Sequence, residues 1–335
     1  VTDHRIVQFE SDRERIRRFG HEVADLIADY FHPGEKIRIL PTVTPDELDA
    51  ILGQELPIQG TDPHRLLREC AEKIMRYSTN IRQPNYFGLM DAPPATVAVF
   101  ADAITSALNQ NMATWFSSPA ATQLEKLVVR WLCELVGYGP QAGGLLLSGA
   151  SIGNLTALKI ARDKKLGHAA RIRGIYGSRP LTLYASQASH FSLEKAVELL
   201  GIGRDGLRKV PLDSCYRMDC RKLDEQIRND MDSGCTPFGV VATAGTGDTG
   251  AIDPLQEIAR ICKRHDLWFH VDAPYGGALI FSEKHRALLD GIADADSLTI
   301  SQHKWVFVPF LCGALLVRRE NDLLENYRVQ QVFYA

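Results

Sequence analysis

The chain has 335 residues, 45% of them hydrophobic, with 38 basic against 41 acidic side chains and a formal net charge of -3. That is enough apolar material for one large core or two modest ones. The near-balanced charge leaves no electrostatic footprint for nucleic acid or for an anionic membrane surface, so the chemistry of small molecules is the class that remains.

The first twenty residues are rich in Asp, Glu and Arg and contain no apolar signal-peptide segment. Over residues 11–31, Ile16, Phe19, Val23, Leu26, Ile27 and Tyr30 recur at helical spacing and predict an amphipathic helix that stops at His32-Pro33-Gly34. Shorter helical patterns follow at 45–53 and 63–77, each opened by a Thr-Pro or Asp-Pro cap. Residues 1–92 thus read as an N-terminal helical arm. Such an arm cannot bury its apolar stripes alone, and needs a surface on the main domain or on a second subunit.

From residue 93 to 335 the pattern becomes long helices alternating with short β-rich runs. Ser118-Pro119 opens a helix with Leu124, Leu127, Val128, Trp131, Leu132, Leu135 and Val136 on one apolar face. Strands are predicted at 145–147, 181–185, 238–243, 268–271, 298–300 and 314–317. Between two of them, Asp253-Pro254-Leu255-Gln256 predicts a helix with an acidic N-cap, Pro at N1 and Gln at N3. This alternation predicts an α/β domain with a mostly parallel sheet. The longest apolar run, Val306 to Val317, is broken by Pro309 and Gly313 and is far shorter than the roughly 20 residues of a membrane helix. The seven cysteines form no CxxC pair and no zinc spacing, which points to reduced thiols, no metal site and a cytoplasmic setting.

In open α/β sheets, ligands gather beyond the carboxyl ends of strands. Three polar clusters fall there: Ser148 to Asn154, Thr243 to Thr249 and His270 to Gly277; the string Ser301-Gln302-His303-Lys304-Trp305 follows a fourth strand. Lys304 lies between apolar flanks, which lowers the cost of a neutral amine able to form a Schiff base; most lysines are solvated surface groups. Asp272 follows Trp268-Phe269-His270-Val271, a run too apolar for a surface strand. A carboxylate there is costly unless paired, and a protonated pyridine nitrogen would pair it; the alternative is a cap for the turn into Tyr275-Gly276-Gly277. One amine and one such carboxylate are what pyridoxal phosphate requires. The Ser148 to Asn154 turn, opening a helix, suits a phosphate or a simple helix cap. His190, just past the strand at 181–185, could stack on a flat ring or be structural.

These strings resemble the group II pyridoxal-phosphate decarboxylases, which include the aromatic-amino-acid, glutamate, histidine and diaminobutyrate enzymes. The resemblance covers most of the chain. It runs through Gln83-Pro84-Asn85-Tyr86-Phe87-Gly88, Ser118 to Glu125, the Ser148 to Asn154 turn, Ala242-Thr243-Ala244-Gly245-Thr246, His270 to Gly277 and His303-Lys304-Trp305. It implies the aspartate-aminotransferase fold, fold type I, and a homodimer with active sites at the subunit interface. It further implies that Lys304 forms the internal aldimine of pyridoxal 5'-phosphate, Asp272 binds the pyridine nitrogen and His190 stacks on the ring. Ala150, Ser151 and His303 would hold the phosphate, Thr246 would lie near the ring, Ala273 and Pro274 would line its other face, and Ser301 would join the cofactor contacts.

The activity so implied is decarboxylation of an L-amino acid to its amine and carbon dioxide. Three departures bear on which bond aligns for cleavage: Gly247 stands where the family repeats a threonine, Ser301-Gln302 replaces Asn-Pro or Asp-Pro, and Pro274 replaces an alanine. They leave open an aldehyde synthase, aminotransferase or lyase on the same fold. On the resemblance, the C-terminal small domain is absent from this chain, with Tyr334 near the start of a loop that carries a catalytic tyrosine; a non-catalytic interaction protein is the third alternative. The substrate is not legible: Gln83, Phe87 and Trp115 lie in segments that could reach a pocket or simply pack.

Overall fold

Three polar residues set the helix starts in the N-terminal part of the chain. Asp12 accepts a hydrogen bond from the Glu14 N–H at 2.9 Å and opens α1, Arg13–Phe31. Thr44 and Glu47 form a reciprocal capping box at the start of α2, Pro45–Leu52. Asp62 caps α3, Pro63–Glu69, through the Arg65 N–H. Each cap satisfies amide donors that a first helical turn leaves free. The computed structural model describes residues 12–32 and 38–328. They divide at Gly88 and Leu89 into two compact units, and these three helices belong to the first.

Residues 63–77 do not form the one helix expected. The winding widens to a π-turn at Cys70–Ile74 and tightens to a 3-10 turn at Met75–Tyr77. Ser78 follows with its hydroxyl donated back to the Ile74 carbonyl at 2.8 Å, the kind of local bond that competes with continued helix. Within this unit, His64 on α3 reaches the Glu22 carboxylate on α1 at 2.7 Å and meets the Phe19 ring edge-on. The Arg82 guanidinium lies 4.0 Å over the Tyr30 ring. His32 closes α1, whereas Pro33 and Gly34 lie outside the described residues.

The second unit opens with α4, Thr96–Leu108, and α5, Pro119–Val136. A sheet of seven strands follows: β1 Gly143–Leu147, β2 Leu181–Ser186, β3 Leu207–Val210, β4 Thr236–Thr243, β5 Trp268–Asp272, β6 Ser297–Ile300 and β7 Gly313–Val317. Its helices are α6 Ala150–Leu166, α7 Ala169–Arg173, α8 Ser192–Leu199, α9 Cys220–Asp232, α10 Leu255–His265 and α11 Glu320–Tyr327. The spatial order is β1-β7-β6-β5-β4-β2-β3. All pairings are parallel except those of β7, which runs against both β1 and β6. A strand reversed between two neighbours leaves those neighbours aligned, so β1, β2, β4, β5 and β6 all finish at one edge.

Both faces of the sheet are covered. Leu132 of α5, Leu223 of α9 and Ile258 of α10 pack with Tyr184, Val240 and Phe269 on one side. Leu158 of α6, Val197 of α8 and Leu323 of α11 pack with Leu183, Val241 and Trp268 on the other. Burial on two sides is why these strands read as nearly unbroken apolar runs. Each fully buried Leu, Ile or Val contributes roughly 1.5–3 kcal/mol relative to exposure.

The six strands expected from sequence are present, each bounded within two residues of the expectation. The unexpected seventh is β3, at the sheet edge, where Arg208 pairs with Asp230 at 2.8 Å and Lys209 with Glu194 at 3.1 Å. Charges suit an exposed edge and erase the apolar signal. Asp253 does not cap the helix after it, contrary to expectation. Its oxygens accept from the Met218 N–H at 2.7 Å and the Thr243 N–H at 2.8 Å, so it ties the end of β4 to the loop before α9, and α10 starts at Leu255 with no side-chain cap.

Candidate active site

Ser148 and Gly149 turn the chain from β1 into α6 at the common strand edge. Gly149 offers no side-chain cap, so the first amides of α6 keep their donors for something else, and the helix dipole favours an anion there. Two glycines allow the close fit behind this turn. A methyl on Gly313, the first residue of β7, would stand 2.8 Å from Gly149 Cα, and one on Gly153 would stand 2.5 Å from Thr299 Cγ2.

His303 faces the same turn. Its N–H donates to the Cys312 carbonyl at 3.2 Å, and its Nδ1 accepts from the Cys312 N–H at 3.0 Å. The ring stacks on Phe310 at 4.3 Å. With Nδ1 an acceptor, the neutral ring carries its proton on Nε2. Burial keeps the ring pKa below the usual histidine range, helped by the Lys304 charge. A methyl on Gly149 would touch His303 Cε1 at 3.6 Å, so imidazole and helix start adjoin.

Lys304 is half-buried, and burial lowers its ammonium pKa while the Asp272 and Asp91 carboxylates oppose the shift. Asp272 ends β5 and is 1% exposed, which makes its charge state the costly feature of the site. Burial pushes its carboxyl up; the Asn154 amide, the His190 charge, the Thr299 hydroxyl and Lys304 pull it back. The Thr299 hydroxyl lies 3.2 Å from Asp272 Oδ1 and 2.9 Å from Asn154 Oδ1, its one proton shared between them. In the turn after β2, His190 Nδ1 accepts from the Ser192 N–H at 3.2 Å and contacts the Ser192 hydroxyl at 2.8 Å. The neutral ring therefore keeps its proton on Nε2, and burial lowers its pKa.

These groups meet in one cavity of about 590 Å³. Ala150, Ser151, His190, Asp272, Pro274, Ser301, His303 and Lys304 all line it. Two residues expected at the cofactor do not. Thr246 is buried with its hydroxyl spent inside its own turn, 2.8 Å from the Thr249 hydroxyl and 3.1 Å from the Ala251 N–H it accepts. Ala273 is fully buried in the core on the opposite sheet face, because strand alternation turns it away from Asp272. Gly247, at the position where the resemblance implies a threonine, lines the wall. Trp115 is exposed and Tyr334 lies outside the described residues.

The sequence reading assigned no role to Asn154 or Thr243. Thr243 pairs in register with Asp272, lines the cavity, and its buried hydroxyl has no partner. Asn154 Oδ1 lies 3.0 Å from His270 Nε2 and 2.9 Å from the Thr299 hydroxyl, and its amide helps hold the Asp272 carboxyl down. Both lie inside distinctive strings, but Asn154 near a helix start reads first as a cap and Thr243 as one more residue of an apolar strand.

A family model described as the pyridoxal-dependent decarboxylase conserved domain matches residues 45–335. The chain is 34% identical over 316 residues to the aromatic-L-amino-acid decarboxylase of Bacillus atrophaeus, covering 94% of this chain and 64% of that protein. It is 36% identical over 290 residues to the cysteine sulfinic acid decarboxylase of Homo sapiens, covering 87% of this chain and 58% of that protein. The chain thus spans less than two thirds of the length of these relatives. Among solved structures, Oryza sativa TDC with PLP and tryptamine superimposes with a TM-score of 0.91 at 29% identity, covering 98% of this chain and 69% of that one.

Proposed function

The chain belongs to the pyridoxal-dependent decarboxylase family, and on that footing we propose that it converts an L-amino acid to its amine and carbon dioxide with pyridoxal 5'-phosphate as cofactor. The observation that carries this reading is a fully buried carboxylate, Asp272, lining one cavity with the half-buried amine of Lys304. The donor set fits the group: a helix start and an imidazole N–H for a phosphate, an acid for a pyridine nitrogen, an amine for an aldehyde.

Lys304 would hold the cofactor covalently, and desolvation favours the neutral amine that this requires. Asp272 would keep a proton on the ring nitrogen. When bound, pyridoxal phosphate supplies the electron sink for the bond that breaks. The first amides of α6 and the Nε2–H of His303 would bind the phosphate, with Ser151 and Ser301 beside them. The His190 ring would cover one ring face and exclude water.

We further infer a homodimer. Support comes from α4, which has no buried residue and leaves Val97, Phe100, Ile104 and Leu108 exposed, an apolar face that a second copy could cover. No described helix is long and apolar enough to cross a membrane. The working compartment we propose is the cytoplasm, where the seven free cysteines would stay reduced.

The test is to supply purified protein with pyridoxal 5'-phosphate and a panel of L-amino acids. Carbon dioxide stoichiometric with amine is expected, and Lys304→Ala should lose both turnover and borohydride-trapped label. Aldehyde or keto acid without amine would instead favour a synthase or transaminase, the reading that Gly247 motivates. A chain that binds no cofactor would be an interaction protein.

A further inference from the structure

We propose that His270 is a positioning residue for Asp272, acting through Asn154 to fix how a buried amide meets the carboxylate. The inference rests on the cofactor site proposed above and concerns residues that do not themselves touch the reacting atoms.

Trp268, His270 and Asp272 alternate along β5 and therefore share the sheet face that α6 covers. The indole N–H can only donate, and it donates to the Ser297 hydroxyl oxygen at 2.8 Å. That leaves the Ser297 proton for His270 Nδ1, also at 2.8 Å. With Nδ1 accepting, the neutral ring carries its proton on Nε2, which donates to Asn154 Oδ1 at 3.0 Å. The one Thr299 hydroxyl proton is shared between the same oxygen at 2.9 Å and Asp272 Oδ1 at 3.2 Å. The His270 N–H and the Thr299 hydroxyl hold the oxygen end of the amide, which leaves its NH2 end for the Ser192 hydroxyl at 3.5 Å, and the amide helps hold the Asp272 carboxyl down.

The sense of the links is set from both ends, by the donor-only indole and by the Asn154 oxygen that can only accept from Nε2. His270 is fully buried, and burial lowers its pKa to about 3, so it stays neutral and keeps this tautomer. If the ring were replaced by a group without polar atoms, the Asn154 amide would lose one of the two donors that orient it. Its reversal would set an oxygen against the carboxylate. The titratable groups that act on Asp272 are His190 and Lys304, and neither is changed by substitution at position 270.

The experiment compares full-length wild type, His270→Phe and His270→Gln for pyridoxal 5'-phosphate affinity and for the pH dependence of the bound cofactor's visible absorbance. Glutamine can accept from Ser297 and donate to Asn154; phenylalanine can do neither. His270→Phe should raise Kd by about tenfold to a hundredfold, the range for a hydrogen bond to a charged group, and displace the pH midpoint. His270→Gln should restore both to within a few-fold. A folded His270→Phe protein with wild-type affinity and midpoint overturns the inference, and so does equal impairment of the two variants, which would mark a packing role. If His270→Phe does not fold, Ser297→Ala removes the donor to Nδ1 together with the acceptor of the Trp268 indole N–H. It should raise Kd several-fold, and no change overturns the inference. Wild-type protein without cofactor absorbance would overturn the site reading and this inference together, which separates that failure from the others.

Discussion

Asp272 and Lys304 are displaced from their ordinary protonation ranges in opposite directions by one cause. Burial pushes the carboxyl up and the ammonium down, and each charge resists the displacement of the other. Without a ligand, both charges cost stability at neutral pH.

An aspartate with a raised folded pKa binds more protons folded than unfolded between its two pKa values. Stability therefore falls as pH rises through that window, and the penalty persists above it. Asp272→Asn removes the charge at nearly constant shape. The cofactor-free variant should have a higher denaturant midpoint than cofactor-free wild type at neutral pH, with cofactor affinity and turnover lost. The stability difference should shrink near about pH 4, where unfolded aspartate is half protonated. Denaturant titrations at the two pH values check this.

His270 contributes a slope of the other sign. Its ring is held down from 6.5 to about 3, so between those values the folded state binds fewer protons and stability is lost as pH falls. His270→Gln removes that contribution. Its stability should decline less than wild type from about pH 6.5 downward, as read by equilibrium denaturation, and parallel curves would refute the assignment.

Gly313→Ala should destabilise the fold and weaken cofactor binding together. The new methyl would lie 2.8 Å from Gly149 Cα and 3.1 Å from Gly149 C, backbone atoms that cannot step aside without moving the start of α6. Overpacking of this kind costs about 1–3 kcal/mol. Gly139→Ala, whose methyl meets nothing within 4 Å, is the matched control. Thermal unfolding and cofactor titration of both variants give the comparison.

Gly247→Thr should fold normally, because its Cβ would only touch the Met90 methyl at 3.6 Å, an ordinary contact; a stability change within about 0.5 kcal/mol is expected. A hydroxyl returned to the cavity wall should raise amine product relative to aldehyde or keto acid by about 2- to 10-fold, as one hydrogen bond allows. Product analysis of variant and wild type reads this ratio directly, and an unchanged ratio would remove Gly247 from the specificity argument.

Lys304 and Asp272 were legible in sequence because each follows an apolar strand at the edge where the strands end, and because their local strings are distinctive. The register of the sheet was not legible. Asn154 lies 116 residues from His270 and 145 from Thr299, so no local pattern joins them. Asp253 looked like a cap because its neighbours fit one, yet its partners are Met218 and Thr243. Arg208 and Lys209 hid β3 by placing two cations within four residues. The helix read over 63–77 failed differently, since periodicity does not distinguish α winding from the wider and tighter turns at Cys70–Ile74 and Met75–Tyr77.

The reversed direction of β7 gives Lys304 its mooring. β6 departs from the sheet and β7 re-enters it at the same rim, and His303 and Cys312 clasp the neck of the segment between them through two hydrogen bonds. Lengthening the crown of that segment, around Phe307 to Phe310, would leave the amine at its address, whereas a change at the clasp would cast it loose.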